Sequence, residues 1–309
     1  MQTTLAGRAR IAGVGVHCGR TVALTLNPAE AGNGVSFSRS DLDDAAGRRI
    51  RADFRHVSAT DQCTAVGVGG ASVATVEHLL AALSVLGVDN AVIEVDGPEV
   101  PVMDGSADPF VEAIDRVGVV RLDAPRRFIK VLRPVRVARG ESVAEFRPHR
   151  RLRIEIEIDF ANALIGRQAF AADLDAATFR RDVARARTFG FLTDVEGLWA
   201  RGLALGASLD NAVVVGEDRV VNPEGLRFDD EFVRHKALDA LGDLALIGAP
   251  LIGCYRSYRG GHWLNIEAVE ALMADETAWT YVEAPARRKG AHAGLAAGVG
   301  VAVYSPDNS

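Results

Sequence analysis

The sequence predicts an α+β protein of two similar domains, each a β-sheet with helices on one face. Three observations carry this. Short runs alternate apolar with polar residues, the period-2 mark of half-buried strands. Two apolar stretches, at about residues 75–86 and 229–247, have helical length and end signals. Both halves run through several strands, a long helix, a glycine and a strand, a faint internal repeat in element order.

In the first half, Val22, Leu24 and Leu26 alternate with smaller or polar neighbours. Gly13, Gly15 and Gly19 around His17 suggest tight backbone geometry. Residues 40–60 are polar and basic and read as an excursion from the core. A helix is expected from Thr75, as N-cap, to Leu86, stopped by Gly87. Asn90 to Val95 reads as a buried strand. The loop from Gly97 to Ser106 is rich in turn residues, and Ser106 can cap a second helix with Pro109 in its first turn.

The pattern breaks at Asp123-Ala124-Pro125-Arg126-Arg127, which sets domains of 1–125 and 126–283. Leu152, Ile154, Ile156 and Ile158 face one way between charged neighbours, a strand with one covered face. A long helix follows from about Asp229 to Ile247, acidic in its first turn. Gly248 and Pro250 end it, before a strand from Leu251 to Tyr255. Residues 284–309 form a Gly/Ala-rich tail with a basic cluster at Arg287-Arg288-Lys289, expected to be mobile.

Composition narrows the function. The 309 residues are 48% hydrophobic and 25% charged. This excludes a disulfide miniprotein, a collagen-like chain and a mostly disordered one. The net charge of −6 argues against a nucleic-acid partner. Cys18, Cys63 and Cys254 are scattered, as free thiols of a reducing compartment are. No apolar run approaches the ~20 residues of a membrane span. The first residues lack a signal-peptide core, so a cytoplasmic soluble protein is expected.

Charged residues interrupt both apolar helices. His235 and Asp239 are four apart, which stacks them on one helix face, and Asp243 continues the stripe. Alone, such a stripe is more often a hydrogen-bonded polar face. Leu238, Leu241, Leu244 and Ile247 make the rest of this helix apolar, however, and buried aspartates are costly without a partner. A cation resolves that cost, and His235 with Asp239 can supply two corners of a zinc tetrahedron. Glu77-His78 interrupts the other helix and offers a third ligand and a carboxylate beside a zinc-bound water. A lone histidine there would otherwise be a satisfied core residue. His262, in Arg259-Gly260-Gly261-His262, is either a surface loop residue or a general acid oriented by Asp243. Lys236 either stabilises an oxyanion or is simply an exposed helix lysine. Phosphate-loop, nucleophile-elbow and dinucleotide templates fail, and Cys63 lacks the context of a thiol nucleophile.

Four segments resemble one family: Gly13-Val14-Gly15-Val16-His17-Cys18-Gly19, Thr75 to Leu83, Pro101 to Ala107, and Phe232 to Leu244. Arg185 to Phe191 and Gly261-His262 add to the match. The chain resembles the UDP-3-O-acyl-N-acetylglucosamine deacetylases, zinc enzymes of lipid A biosynthesis, from about residue 8 to 282. The resemblance implies two α+β domains whose helices pack together as a β-α-α-β sandwich with the metal between them. It implies a small sheet insert at about 40–70 and an acyl-passage insert at about 190–216. It places the zinc ligands on His78, His235 and Asp239, the general base on Glu77, and the general acid on His262, oriented by Asp243. Lys236 and Thr188 fall where the family holds the oxyanion and substrate. Phe189, Phe191, Ser208, Ala212 and Cys63 fall at the sugar and acyl region, Cys63 not as a nucleophile.

The expected reaction is zinc-dependent hydrolysis of the N-acetyl group of UDP-3-O-[(3R)-3-hydroxyacyl]-N-acetylglucosamine, by a monomer without an integral membrane segment. The alternatives are a zinc amidohydrolase acting on another N-acetyl sugar and a noncatalytic sugar-nucleotide or lipid-binding module.

Overall fold

Alternation along Thr21–Pro28 puts Val22, Leu24 and Leu26 into the core, where all three are buried. The structure is a computed structural model that describes residues 1–42 and 49–283. Among these residues lie six helices: α1 (Glu77–Val85), α2 (Asp108–Val117), α3 (Ala176–Asp182), α4 (Val195–Ala200), α5 (Glu231–Ala245) and α6 (His262–Ala274). The mixed α/β architecture agrees with the expected class.

Thr21–Pro28 belongs to a five-stranded sheet. Its order is Ala9–Val14, Thr21–Pro28, Ala91–Val95, Val35–Arg39, Arg49–Arg51. The successive pairs are antiparallel, antiparallel, parallel and antiparallel. In the second half, Val135–Arg139, Ser142–Arg147, Leu251–Tyr258, Leu152–Asp159 and Arg167–Asp173 follow the same order with the same senses. The faint repeat in element order is therefore a repeat in strand order and direction. Arg127–Val131 and Trp279–Glu283 extend the second sheet. The chain passes from one sheet to the other between Arg121 and Arg127, after Val119–Arg121 pairs with the N-terminal strand Thr3–Leu5.

The first sheet has one parallel pair, Val35–Arg39 with Ala91–Val95, and the second has two, Leu251–Tyr258 with Leu152–Asp159 and with Arg127–Val131; a parallel pair demands a long crossover. The first crossover carries α1 and a small antiparallel sheet, Val57–Ala59, Ala65–Val68 and Ala71–Val73. This sheet extends past the expected insert limit of 70. The second crossover carries α5 and a smaller unit, in which Phe189–Phe191 pairs in parallel with Val213–Val215 around α4. That unit spans residues 189–215. It exposes Leu192, Trp199, Leu205 and Leu209.

Helix α2 packs on Ala9–Val14 and on α1. Helix α5 packs on Leu152–Asp159 and Arg167–Asp173, and α6 on Val135–Arg139 and Ser142–Arg147. The most extensive helix contact joins α1 to α5. Residues 77–83 of α1 are buried on every side, as an apolar-all-round helix must be. At the crossing the two backbones touch. A Cβ on Gly242 would lie 2.0 Å from the carbonyl oxygen of Glu77.

Two boundaries differ from expectation. Helix α1 starts at Glu77 rather than Thr75. Thr75 has φ 56°, outside the helical region, and its hydroxyl donates to Glu99 Oε1 at 2.8 Å instead of capping. The strand after α5 runs to Tyr258 because it pairs on both edges, with Leu152–Asp159 and Ser142–Arg147. The expected tail at 284–309 lies outside the described residues.

The crossing generates a prediction. Gly242→Ala sets a methyl against main chain that cannot swing aside, so the loss should reach or exceed the ~3 kcal/mol upper range of core overpacking. Urea unfolding should show a markedly lower midpoint, and an unchanged midpoint would remove the crossing as a constraint.

Candidate metal centre and active site

Because α1 and α5 cross at Gly242, the polar residues that interrupt their apolar sequences meet. His78, His235 and Asp239 are all buried, and one potential ligand atom from each lies within 4.8 Å of the others. Asp239 Oδ1 is 3.5 Å from His78 Nε2 and 3.2 Å from His235 Nε2. The two imidazoles stand edge to face with centroids 4.9 Å apart.

The chemistry of these groups suits a divalent ion. His235 Nδ1 lies 3.0 Å from the carbonyl oxygen of Ala186, so Nδ1 holds the proton and Nε2 offers a lone pair. Burial drives the His235 pKa down to about 3, against the pull of Asp239, which keeps the ring neutral. Burial alone would protonate Asp239, but His235, Lys236 and His78 hold it well below the usual carboxylate range. One imidazole nitrogen from each histidine and one carboxylate oxygen would make a three-ligand set, the number that catalytic rather than structural zinc sites take from the protein.

Next to this triad is a carboxylate–imidazole pair. Glu77 Oε1 is 4.0 Å from His262 Nε2. Glu77 opens α1 and His262 opens α6. Burial pushes the Glu77 carboxyl above its ordinary value, against His262 and His78. Burial works against a charged His262, but Asp243 and then Glu77 raise its pKa to about 9. Asp243 Oδ2 accepts from His262 Nδ1 at 2.9 Å and from Asn265 Nδ2 at 2.8 Å. Asn265 Oδ1 in turn accepts from the Tyr255 hydroxyl at 2.6 Å.

Thr64 ties the pair together. Its N–H donates to Glu77 Oε2 at 3.1 Å and its hydroxyl to Asp243 Oδ1 at 2.6 Å. Thr64 and Asn265 escaped the sequence reading. Asn265 had a weak signal, one helical turn after His262. Thr64 had none beyond its place beside Cys63.

The remaining expected residues divide into two groups. Lys236 Nζ donates to Asp239 Oδ2 at 2.8 Å and lies 5.6 Å from the Phe189 ring centre. Thr188 is held at both backbone ends, its N–H on Gly105 O at 2.8 Å and its O on Val213 N–H at 2.7 Å. Phe189 stacks on Phe232 at 5.0 Å and on Phe160 at 5.8 Å, and Phe160 continues to Phe191 at 5.9 Å. With His235 6.3 Å from Phe189, an aromatic wall leads away from the triad. Ser208 and Ala212 lie in the turn before Val213–Val215, where Ala212 N–H bonds Ser208 O at 3.1 Å. Cys63 is buried, and burial with the Glu77 charge pushes its thiol up to about 12, which keeps it protonated at neutral pH.

The profile of the UDP-3-O-acyl N-acetylglycosamine deacetylase family matches residues 2–274. The chain belongs to this family. Curated relatives named UDP-3-O-acyl-N-acetylglucosamine deacetylase, from Brucella ovis, Brucella suis and Brucella melitensis, are each 56% identical to it over 284 residues. Those matches cover 92% of this chain and 99% of each relative. As a member of the family the chain is a deacetylase, an enzyme of lipid A biosynthesis. No helix among the described residues is long and apolar enough to cross a membrane.

A titration checks the pair. The folded His262 pKa of about 9 exceeds its ordinary 6.5, so its stabilising contribution is full below 6.5 and is lost as pH rises through about 9. Asp243→Asn should lower the His262 pKa in the metal-free deacetylase, followed by NMR. Its stability deficit by urea unfolding should be largest below pH 6.5 and shrink toward pH 9. A deficit that does not vary across this window would deny the coupling.

Proposed function

We propose that this deacetylase hydrolyses the 2-acetamido group of UDP-3-O-[(3R)-3-hydroxyacyl]-N-acetylglucosamine with zinc as its metal, releasing acetate and the free 2-amine. The observation that carries the reading is a buried carboxylate and a buried cationic imidazole, 4.0 Å apart, beside a His-His-Asp triad.

His78, His235 and Asp239 would hold the ion. When bound, zinc supplies a Lewis-acid charge that acidifies water and polarises an amide carbonyl. Glu77, with its raised pKa, takes a proton from the attacking water as the new C–O bond forms. His262, charged at neutral pH, gives its proton to the amide nitrogen as the C–N bond breaks, since an amide nitrogen leaves only once protonated. Asp243 aims His262 and stabilises its cation. Lys236 and Thr188 sit where they can meet the developing oxyanion.

Phe189, Phe191 and the exposed apolar residues of the 190–216 insert supply the passage for the 3-O-acyl chain, with Ser208, Ala212 and Cys63 as further substrate contacts. This reading treats residues 1–125 and 126–283 as two domains whose helices form the inner layers of a β-α-α-β sandwich. A monomer acting in the cytoplasm completes it.

Two experiments test the proposal. Glu77→Gln and His262→Ala should each retain about one zinc per chain by elemental analysis while kcat falls by ~10²–10⁴. Zinc lost in proportion to kcat would make either residue structural. The second compares the natural substrate with UDP-N-acetylglucosamine lacking the acyl chain. About five buried methylenes at ~0.8 kcal/mol each already give ~10³ in kcat/KM. Equal turnover of the two would point to a different N-acetyl sugar.

A further inference from the structure

Glu231 opens α5 and is fully buried, and Arg187, which faces it, is only 3% exposed. Their contact is a fork: Arg187 Nε reaches Glu231 Oε1 at 2.9 Å and Nη2 reaches Oε2 at 3.1 Å. Arg187 Nη1 donates to Glu224 Oε1 at 2.6 Å and Nη2 to the Gly225 carbonyl at 2.7 Å, so the guanidinium cannot swing away. The Glu231 carboxylate also accepts two main-chain N–H groups, from Arg187 at 3.0 Å and from Arg227 at 2.6 Å.

One turn along α5, His235 Nδ1 donates to the carbonyl of Ala186. The peptide unit between Ala186 and Arg187 is thus held at both ends by one helix, its N–H by Glu231 and its C=O by His235. Residues four apart on a helix are separated by ~6 Å along the axis. The N–H and C=O of one trans peptide point in opposite directions, which suits two anchors so placed. A carboxylate that serves only an ion pair has no need of the peptide N–H. This one fixes the plane whose other face sets the His235 ring.

We infer that Arg187 and Glu231 are positioning residues. They hold the Ala186–Arg187 peptide so that its carbonyl keeps His235 in the Nδ1–H tautomer, with Nε2 directed at His78 and Asp239. Arg187 neutralises Glu231 and makes its burial tolerable; Glu231 holds the peptide. The metal consequence rests on the zinc reading above, whereas the tautomer consequence does not. The same peptide leads directly into Thr188, so the clamp also sets the start of the oxyanion-facing segment.

The test replaces the pair with the double variant Arg187→Met/Glu231→Met, because apolar residues of similar volume often replace a buried ion pair without loss of stability. Three quantities are read: the urea unfolding midpoint, the His235 tautomer in metal-free protein by long-range ¹H–¹⁵N NMR, and zinc affinity by competition with a chelator. The expected result is a near-wild-type midpoint, a mixed His235 tautomer and zinc binding weakened ~10–100-fold, the usual cost of losing a partner that orients a metal ligand. A single Nδ1–H tautomer with unchanged zinc affinity would overturn the inference. So would an affinity loss that only tracks a fall in stability. Should the double variant not fold, Arg187→Lys decides. It keeps the charge but not the fork, and ~10-fold weaker zinc binding with a mixed tautomer is expected. An unchanged tautomer and affinity there overturn the inference equally. If wild-type protein itself bound no zinc, the zinc reading would fall, and the tautomer measurement would still judge the clamp.

Discussion

Backbone contact between α1 and α5 governs the rest of the molecule. With a hydrogen in place of a side chain at Gly242, the two helices approach until the α5 main chain lies against the Glu77 carbonyl. Side chains on both helices are then forced into a shared volume. His78 from α1 reaches His235 and Asp239 from α5, and Glu77 reaches the His262–Asp243 pair. A crossing at ordinary distance, with axes ~8–10 Å apart and side chains between them, would fill that volume with leucine and leave the two histidines separated.

The charges collected there are mutually compensated. Asp239 has Lys236 and two imidazoles, Asp243 has His262, Thr64 and Asn265, and Glu231 has Arg187 and two peptide N–H groups. Burial without such partners would neutralise these groups rather than leave them ionised. Compensation also differentiates them. Two carboxylates of the same helix end with different surroundings: Asp239 stays anionic and faces two imidazoles, while Asp243 is bonded to the His262 cation. Glu77 has no arginine or lysine bonded to it among the described residues, and burial raises its pKa.

Much of this was legible in the residues. The alternation at Leu152–Asp159 and the apolar length of α1 and α5 are local signals, and they survive folding because each element buries the face its period marks. The stripe His235, Asp239, Asp243 was legible as an anomaly, charge where an apolar helix should have none. The partners of that stripe were not. Thr64, Arg187 and Glu231 act through contacts between distant segments, and a threonine, an arginine and a glutamate look alike whether they bind water or a buried carboxylate. Thr75 misled for a related reason. Its hydroxyl has a better acceptor in Glu99, brought close by tertiary structure, than in the helix it precedes.

The parallel pairs that close the crossovers holding α1 and α5 have a kinetic meaning. His78 and His235 sit inside different crossovers and are more than 150 residues apart in the chain. Neither crossover is closed until its last strand, Ala91–Val95 or Leu251–Tyr258, has docked. Loop-closure entropy delays such non-local docking. A chain in which either strand is still undocked therefore lacks the proposed three-ligand site, and metal capture would follow the maturing of both halves.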